Sequence, residues 1–437
     1  MIVPCGCRKR SIGEPCPKVT RKEPRHFDMP DLTVGFGNDR LRRGYTNWCN
    51  RVGVITSAQL GDARTEKKME AFRFGCIVQD EHYCPRPELE AQLRRYVRSG
   101  QNVVLQGERR MGKSSLVVKV VNGIRGTGLL YVDLLGISTP SDFCRRVVDG
   151  IVELDSSRSF LRKTVSLLSS LRPLVVLDQD TGLPKISIDA RSATSPAGIG
   201  AVMAMVAAHA RERRICAVFD EFQDILDLPD ANQALAEMRS RVQFMSETPF
   251  VFLGSVRNRM REIFSHPSSP FFKSAVAIDV GEMERGAFAD FLAKRFSVGR
   301  RSADRDFLLG VVDDLGGVPG DVQELCDALW YATGPGDRVD AASLDAAYEY
   351  IFAHERTSYE TYWKTFSPQQ RRVLRALAAC GGRHVSSSDF FEAAGVYNAS
   401  SVKKALSRLE TLGHVYRFRD EFKFANPFFR EWLRRRF

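Results

Sequence analysis

From residue 88 the chain alternates between two periods. "ELEAQLRRYVRSG" sets Leu89, Leu93, Tyr96 and Val97 on one helical face, and "NVVLQ" follows as a short apolar run of strand length. "KSSLVVKVVNGI" reads as a helix, "GLLYVDLLG" as a strand, and "SDFCRRVVDGIVEL" as a helix with Ser141 at its N-cap. "RICAVFDEF" is a strand, "NQALAEMRSRVQFMSE" a helix, and "PFVFLGS" and "SAVAIDVG" two more strands. Strands alternating with helices predict a parallel sheet covered on both faces. Residues 155–200 interrupt the pattern and read as an irregular insertion. After residue 282 the pattern turns wholly helical, and residues 367–437 read as three short helices and a β-hairpin. The expected units are therefore a core at 69–282, a helical unit at 283–366 and a small C-terminal domain at 367–437.

Residues 1–68 lack any sustained period and are rich in Pro, Gly and charge. Their apolar content is too low to offset chain entropy. They are expected to be a flexible basic arm, or an upstream extension from a misassigned start codon, with the folded protein beginning near Met69. Cys5, Cys7, Cys16 and Cys49 lie in this arm, but their spacing is not that of a zinc knuckle.

Charge refines the picture. The net charge is +11, of which residues 1–68 carry +7 and residues 367–437 carry +8, so the middle is −4. This distribution argues against a nucleic-acid coat and leaves open a basic C-terminal module that touches nucleic acid. The apolar stretch "AGIGAVMAMVAAHA" is too short to cross a bilayer, which takes about 20 residues. "MIVPCGCRKR" has its basic cluster on the wrong side for a secretory signal, and the ten cysteines do not form a dense disulfide framework. A reducing cytoplasm is the simplest compartment, with no membrane partner.

The chemistry sits in "GERRMGKS", which fits G-x-x-x-x-G-K-[ST] between a strand and a helix. Gly107 lets the chain turn off the strand, and Gly112 lets the backbone approach a phosphate. The loop from Gly107 through Glu108, Arg109, Arg110, Met111, Gly112, Lys113, Ser114 and Ser115 is the expected anion cradle, helped by the dipole of the helix that follows. Lys113 is expected to reach the β- and γ-phosphates of ATP, and Ser114 to coordinate Mg²⁺. A second motif, "RICAVFDEFQDIL", ends a buried strand in Asp220 and Glu221. Asp220 falls beside the metal held by Ser114, and Glu221 can polarise a water for in-line attack. A chance glycine-rich turn does not explain both motifs together.

These residues resemble the archaeal-type AAA+-like P-loop ATPases, related to origin-recognition and signal-transducing NTPases. The resemblance spans roughly residues 70–437. "GERRMGKSSL" is similar to that family's G-x-R-R-x-G-K-[ST]-[ST]-L, and "VFDEFQDI" to its D-E-F-Q signature. "FLGSVRNRMREIFSHPSSPFFKSA", "GGVPGDVQELCDAL" and "SSVKKALSRLETLGHVYRFRDEFKFANPFFREWLRR" resemble its third motif, lid helix and C-terminal winged helix. The resemblance implies a five-stranded sheet of order 5-1-4-3-2, with Ser255 as a sensor beside the γ-phosphate. It offers Arg257 as a second sensor, and Lys273 where the family often has an Arg. Lysine cannot supply a bidentate fork, which leaves any arginine finger unassigned. Arg86 matches a recurrent Arg before the first helix, which it caps or positions. In the lid segment, Gly316 and Gly317 break one helix and Pro319 suits the first turn of the next.

In the C-terminal unit, Val402, Ala405, Leu406 and Leu409 form the apolar face of the third helix. Ser400, Lys403, Lys404, Ser407 and Arg408 form the other, suited to a DNA major groove, and Arg417, Arg419 and Lys423 on the hairpin suit phosphates. Phe428, Phe429 and Trp432 read as core. Two functions follow. One is an ATP-binding, Mg²⁺-dependent, ATP-hydrolysing switch acting on protein partners. The other is an initiator-like or transcription-associated ATPase that binds double-stranded DNA. A small-molecule kinase shares only the phosphate loop.

Overall fold

A computed structural model describes residues 71–154, 173–177, 184–188, 196–255, 257–396, 398–418 and 420–437; at 173–177, 184–188 and 257 it describes the backbone alone. The expected arm at 1–68 with its four cysteines, and Arg419, lie outside the described residues.

Five strands form the central sheet: β1 (Val103–Gln106), β2 (Gly128–Asp133), β3 (Ile215–Asp220), β4 (Phe250–Gly254) and β5 (Val276–Asp279). Their order is β2-β3-β4-β1-β5, all parallel, the expected 5-1-4-3-2 read from the other edge. Along β3 the side chains alternate. Cys216 and Val218 join one core layer, Ala217 and Phe219 the other, as a period of two requires in a sheet covered on both faces. Helices α1 (Pro87–Arg98) and α2 (Lys113–Asn122) cover the first face. Helices α3 (Pro140–Leu154), α4 (Ala197–Ala210), α5 (Ala231–Val242) and α6 (Arg257–Phe264) cover the second.

Three local expectations are corrected. Helix α3 begins at Pro140, so Ser141 lies inside it, and Thr139 takes the capping role, its Oγ1 accepting from the Asp142 N–H at 3.1 Å. The interval 155–200 is not wholly irregular: an antiparallel pair, Pro173–Leu177 with Pro184–Ile188, lies within it. Its last residues begin α4, which is apolar nearly all round because it is buried between α3 and α5.

Beyond β5 come α7 (Arg285–Val298), α8 (Arg305–Asp314) and α9 (Pro319–Ala332), then α10 (Ala341–Thr365), a 25-residue helix leading into the last unit. Gly316 and Gly317 both take positive φ, 63° and 64°, ending α8 and turning the chain into α9, where Pro319 occupies the first turn. The C-terminal unit opens on a capping box, Ser367 with Gln370. It contains α11 (Pro368–Cys380), α12 (Ser388–Ala394), α13 (Ala399–Thr411), the wing strands β6 (Val415–Phe418) and β7 (Glu421–Phe424), and a further helix, α14 (Pro427–Arg436). That helix was not anticipated as such, but Phe428, Phe429 and Trp432 on it are core, as expected. One continuous apolar core runs from α7 through α9 and α10 to α14, and it takes in Ala71 and Phe72 from the chain ahead of α1. Among the described residues, no helix is long and apolar enough to cross a membrane.

Candidate functional site

The loop after β1 runs from Gly107 into α2. Gly107 does not have a positive φ. Its demand for glycine comes from a neighbour, since a Cβ there would lie 2.4 Å from the Val280 carbonyl oxygen. Gly112 does take φ 78° at the N-cap of α2, and a Cβ there would meet open space. Arg110 also takes a left-handed φ of 64°, unusual for a residue with a side chain. The loop is thus wound so that α2 starts at Lys113 with its first N–H groups at the open mouth.

Lys113 is buried, and its Nζ donates to the carbonyls of Gly107 and Glu108, both at 2.9 Å. Burial lowers its pKa, while Glu221 and Asp220 nearby oppose the fall. Ser114 Oγ donates to Asp220 Oδ2 at 2.6 Å. Asp220 ends β3, paired in register with Asp133 at the end of β2. A hydroxyl and a carboxylate this close form a hard oxygen set suited to Mg²⁺. The Tyr131 hydroxyl donates to the same Oδ2, and the Glu221 N–H donates to Oδ1 at 2.9 Å.

Glu221 follows in a left-handed conformation, φ 47°. Its Oε2 accepts from Ser255 Oγ at 2.7 Å and from Gln223 Nε2 at 2.6 Å. Ser255 is buried just past the end of β4, so three strand ends converge here: Asp220 and Glu221 from β3, Ser255 from β4, and the loop from β1. Strained backbone at Glu221 and Arg110 marks residues that the surrounding structure holds in place.

Of the two proposed sensors, neither is placed at the mouth by a described side chain. The Arg257 side chain lies outside the described residues. Lys273 is exposed, its Nζ 5.2 Å from the Phe272 ring centroid. It precedes Ser274, whose carbonyl accepts from Asn102 at 3.4 Å, at the edge of the sheet where β1 begins rather than where the loop leaves it. Ser115 packs inward instead of facing the mouth, its Oγ accepting from the Val78 N–H at 3.0 Å.

Sequence reasoning underrated Arg86 and missed Tyr131 and Gln223. Arg86 does more than cap α1. Its guanidinium donates to the Met111 carbonyl at 3.2 Å, the Gly281 carbonyl at 2.8 Å and Met283 Sδ at 2.8 Å. It therefore ties the loop to the segment that leads into α7, and burial lowers its pKa.

The wing lies against this region. Burial raises the pKa of the Tyr416 hydroxyl on β6, with the carboxylates of Glu108, Asp321, Glu282 and Glu421 adding to the rise. Lys423 Nζ on β7 is 3.9 Å from Glu282. The outward face of α13 is open instead: Lys403, Lys404, Ser407 and Arg408 are exposed. Arg417 is exposed too, 3.8 Å from Asp420.

Residues 357–435 match the family model described as "Probable winged helix domain". No curated protein matches the chain by sequence. Among solved structures, the chain is similar to a Walker-type ATPase of Pyrococcus abyssi, with TM-score 0.54 and 16% identity over 81% of this chain and 97% of that one. The Aeropyrum pernix ORC2 protein gives TM-score 0.47 and 17% identity over 81% and 94%. The Aeropyrum pernix ORC1 protein, solved in complex with DNA, gives 0.45 and 15% over 82% and 94%. By its sheet order, its strand-end loop and its likeness to the Pyrococcus protein, the chain has the fold of an archaeal Walker-type P-loop ATPase, ending in a winged-helix domain.

Proposed function

We propose that the chain binds ATP with Mg²⁺ and hydrolyses it, as a molecular switch acting on a protein partner. The observation that carries this reading is the convergence of Ser114, Asp220, Glu221 and Ser255 at the mouth of the loop. In it the backbone from Glu108 to Ser115 cradles the phosphates, with Arg109 and Met111 contributing their N–H groups. Lys113 exchanges two carbonyl acceptors for phosphate oxygens. Ser114 and Asp220 hold the metal, whose charge, when bound, stabilises the negative charge that develops on the phosphoryl oxygens. Tyr131 keeps Asp220 Oδ2 oriented. Ser255 and Gln223 both hold Glu221 Oε2, which leaves Oε1 to accept the proton of the attacking water.

Lys113→Ala is expected to abolish tight ATP binding in a fluorescent-nucleotide titration. Glu221→Gln is expected to keep binding but to turn over roughly 10²–10⁴-fold more slowly. Equal turnover of the Glu221→Gln protein and the parent removes Glu221 from the role.

The second reading, DNA binding, is favoured by the open face of α13, whose Lys403, Lys404 and Arg408 have no ion pair among the described residues. With the wing against the lid, duplex contact falls to this helix. A full-chain anisotropy titration against duplex then has a log–log salt slope near −0.9 per phosphate neutralised. Replacing Lys403 and Lys404 by Ala flattens it by about two units, and Arg408→Ala relaxes sequence preference where it reaches a guanine. No duplex binding at physiological salt leaves the winged helix as a protein-docking module.

A further inference from the structure

The side chain of Arg110 belongs to the phosphate loop by sequence but not by contact. It leaves the loop and reaches the start of α9, where its Nε lies 2.6 Å from Asp321 Oδ1 and its Nη2 lies 2.5 Å from Glu324 Oε2. The same Nη2 donates to the Gly320 carbonyl at 2.8 Å, and the Gly320 N–H donates back to the Arg110 carbonyl at 3.1 Å. Side chain and main chain therefore both staple the loop to the lid. The fit is tight, since a Cβ at Gly320 would lie 2.9 Å from Arg110 Cβ and 3.0 Å from its Nε. The Asp321 side chain is 9% exposed, that of Glu324 20% and that of Arg110 38%, so the pairs are partly shielded from solvent. The left-handed φ of Arg110 aims the side chain across to α9.

The contact also continues outward. Burial raises the pKa of the Tyr359 hydroxyl on α10, and the charges of Glu324 and Arg110 act on it with opposite signs. Loop and lid are thus joined directly, with α10 beside the joint.

We propose that Arg110 is a positioning residue that latches the lid over the phosphate loop through Asp321 and Glu324, and so sets how long a bound nucleotide stays. This rests on the ATP-binding reading. Its bonds must break each time the lid opens, so the latch slows escape of a bound nucleotide and, where the lid closes first, its entry.

The test uses the full chain and mant-ADP in stopped flow. Asp321→Asn combined with Glu324→Gln keeps side-chain volume and removes both charges from the lid side, outside the loop itself. Release is expected to speed up about tenfold, with association no slower than the parent's, the mark of a lost closing contact. Gly320→Ala, which pushes the lid away from Arg110, is expected to do the same, and Arg110→Lys to fall between, because one ammonium cannot fork to both carboxylates. Hydrogen exchange without nucleotide is the second readout: the lid-side double variant exposes amides at 318–324 and leaves β1, β3 and β4 protected. Unchanged release and unchanged exchange in that variant overturn the latch. If the parent chain binds no mant-ADP, the ATP reading fails; exchange at 318–324 then still decides whether Arg110 holds the lid.

Discussion

Arg86 shows how much of a site can hang on one side chain that no motif announces. Its three acceptors come from the loop and from the chain entering α7, segments about 25 and 195 residues away. Removing it leaves the Met111 and Gly281 carbonyls without that donor. Arg86→Ala is therefore expected to cost about 2–3 kcal/mol of stability in urea melts, and to weaken nucleotide binding, because the loop loses a brace. Unchanged melts and unchanged affinity reduce Arg86 to a helix cap. The residues that were legible were those whose role follows from local spacing: Gly112 to Ser114 in one turn, and Asp220 and Glu221 at one strand end. Arg86, Tyr131 and Gln223 were not. Their roles come from what the fold brings opposite them, and Tyr131 in "LLYVD" looks like any strand aromatic.

At the scale of the element, α9 carries a pH dependence. Burial of Asp321 pushes its carboxyl up to about 6 from an ordinary 3.8, against the pull of Arg110 on the loop; Glu324 on its own helix adds to the rise, and Tyr416 faces it from the wing. The folded carboxyl holds its proton more tightly than the unfolded one. Its contribution to stability is thus fully present below about pH 3.8 and is lost as pH rises through about 6. The ion pair with Arg110 has the opposite sign, growing as Asp321 ionises. Asp321→Asn is expected to flatten the fall in stability between about pH 4 and 6, read from urea midpoints at the two ends. A midpoint difference identical to the parent's places the ionisation elsewhere. The helix itself was legible from "GGVPGDVQELCDALW", since Gly–Gly and Pro punctuate it. Helix α4 was not, because "AGIGAVMAMVAAHA" has no polar stripe to give a period.

For the whole molecule, the useful division is not the one the sequence pattern drew. The capping box at Ser367 marks where α11 starts, near the expected boundary, yet the apolar core does not stop there. Lid and winged helix share it, so they are expected to unfold in one calorimetric transition. Phe72 is part of that core, 3% exposed, its ring 4.7 Å from Phe296 and 6.3 Å from Trp330. Phe72→Ala should lower the stability of that shared transition by about 3–5 kcal/mol. A loss below about 1 kcal/mol means that the segment ahead of α1 merely lies on the lid. Periodicity reports which face of an element is buried but not which neighbour buries it, and that is why the shared core was invisible in the sequence.

The chain passes between the two bodies at neighbouring places. Tyr83 belongs to the sheet-side core and Cys84 to the lid-side one, while Val280 belongs to the first and Met283 to the second. Arg86 fastens these crossings to each other through Gly281 and Met283. These pinned crossings are expected to act as a hinge. A pinned joint resists twist and sideways slip and turns about one axis, here once the Arg110 contacts to α9 are broken. Movement of the lid and winged helix against the sheet is then expected to follow a single angle, which one pair of spectroscopic labels across the mouth tests.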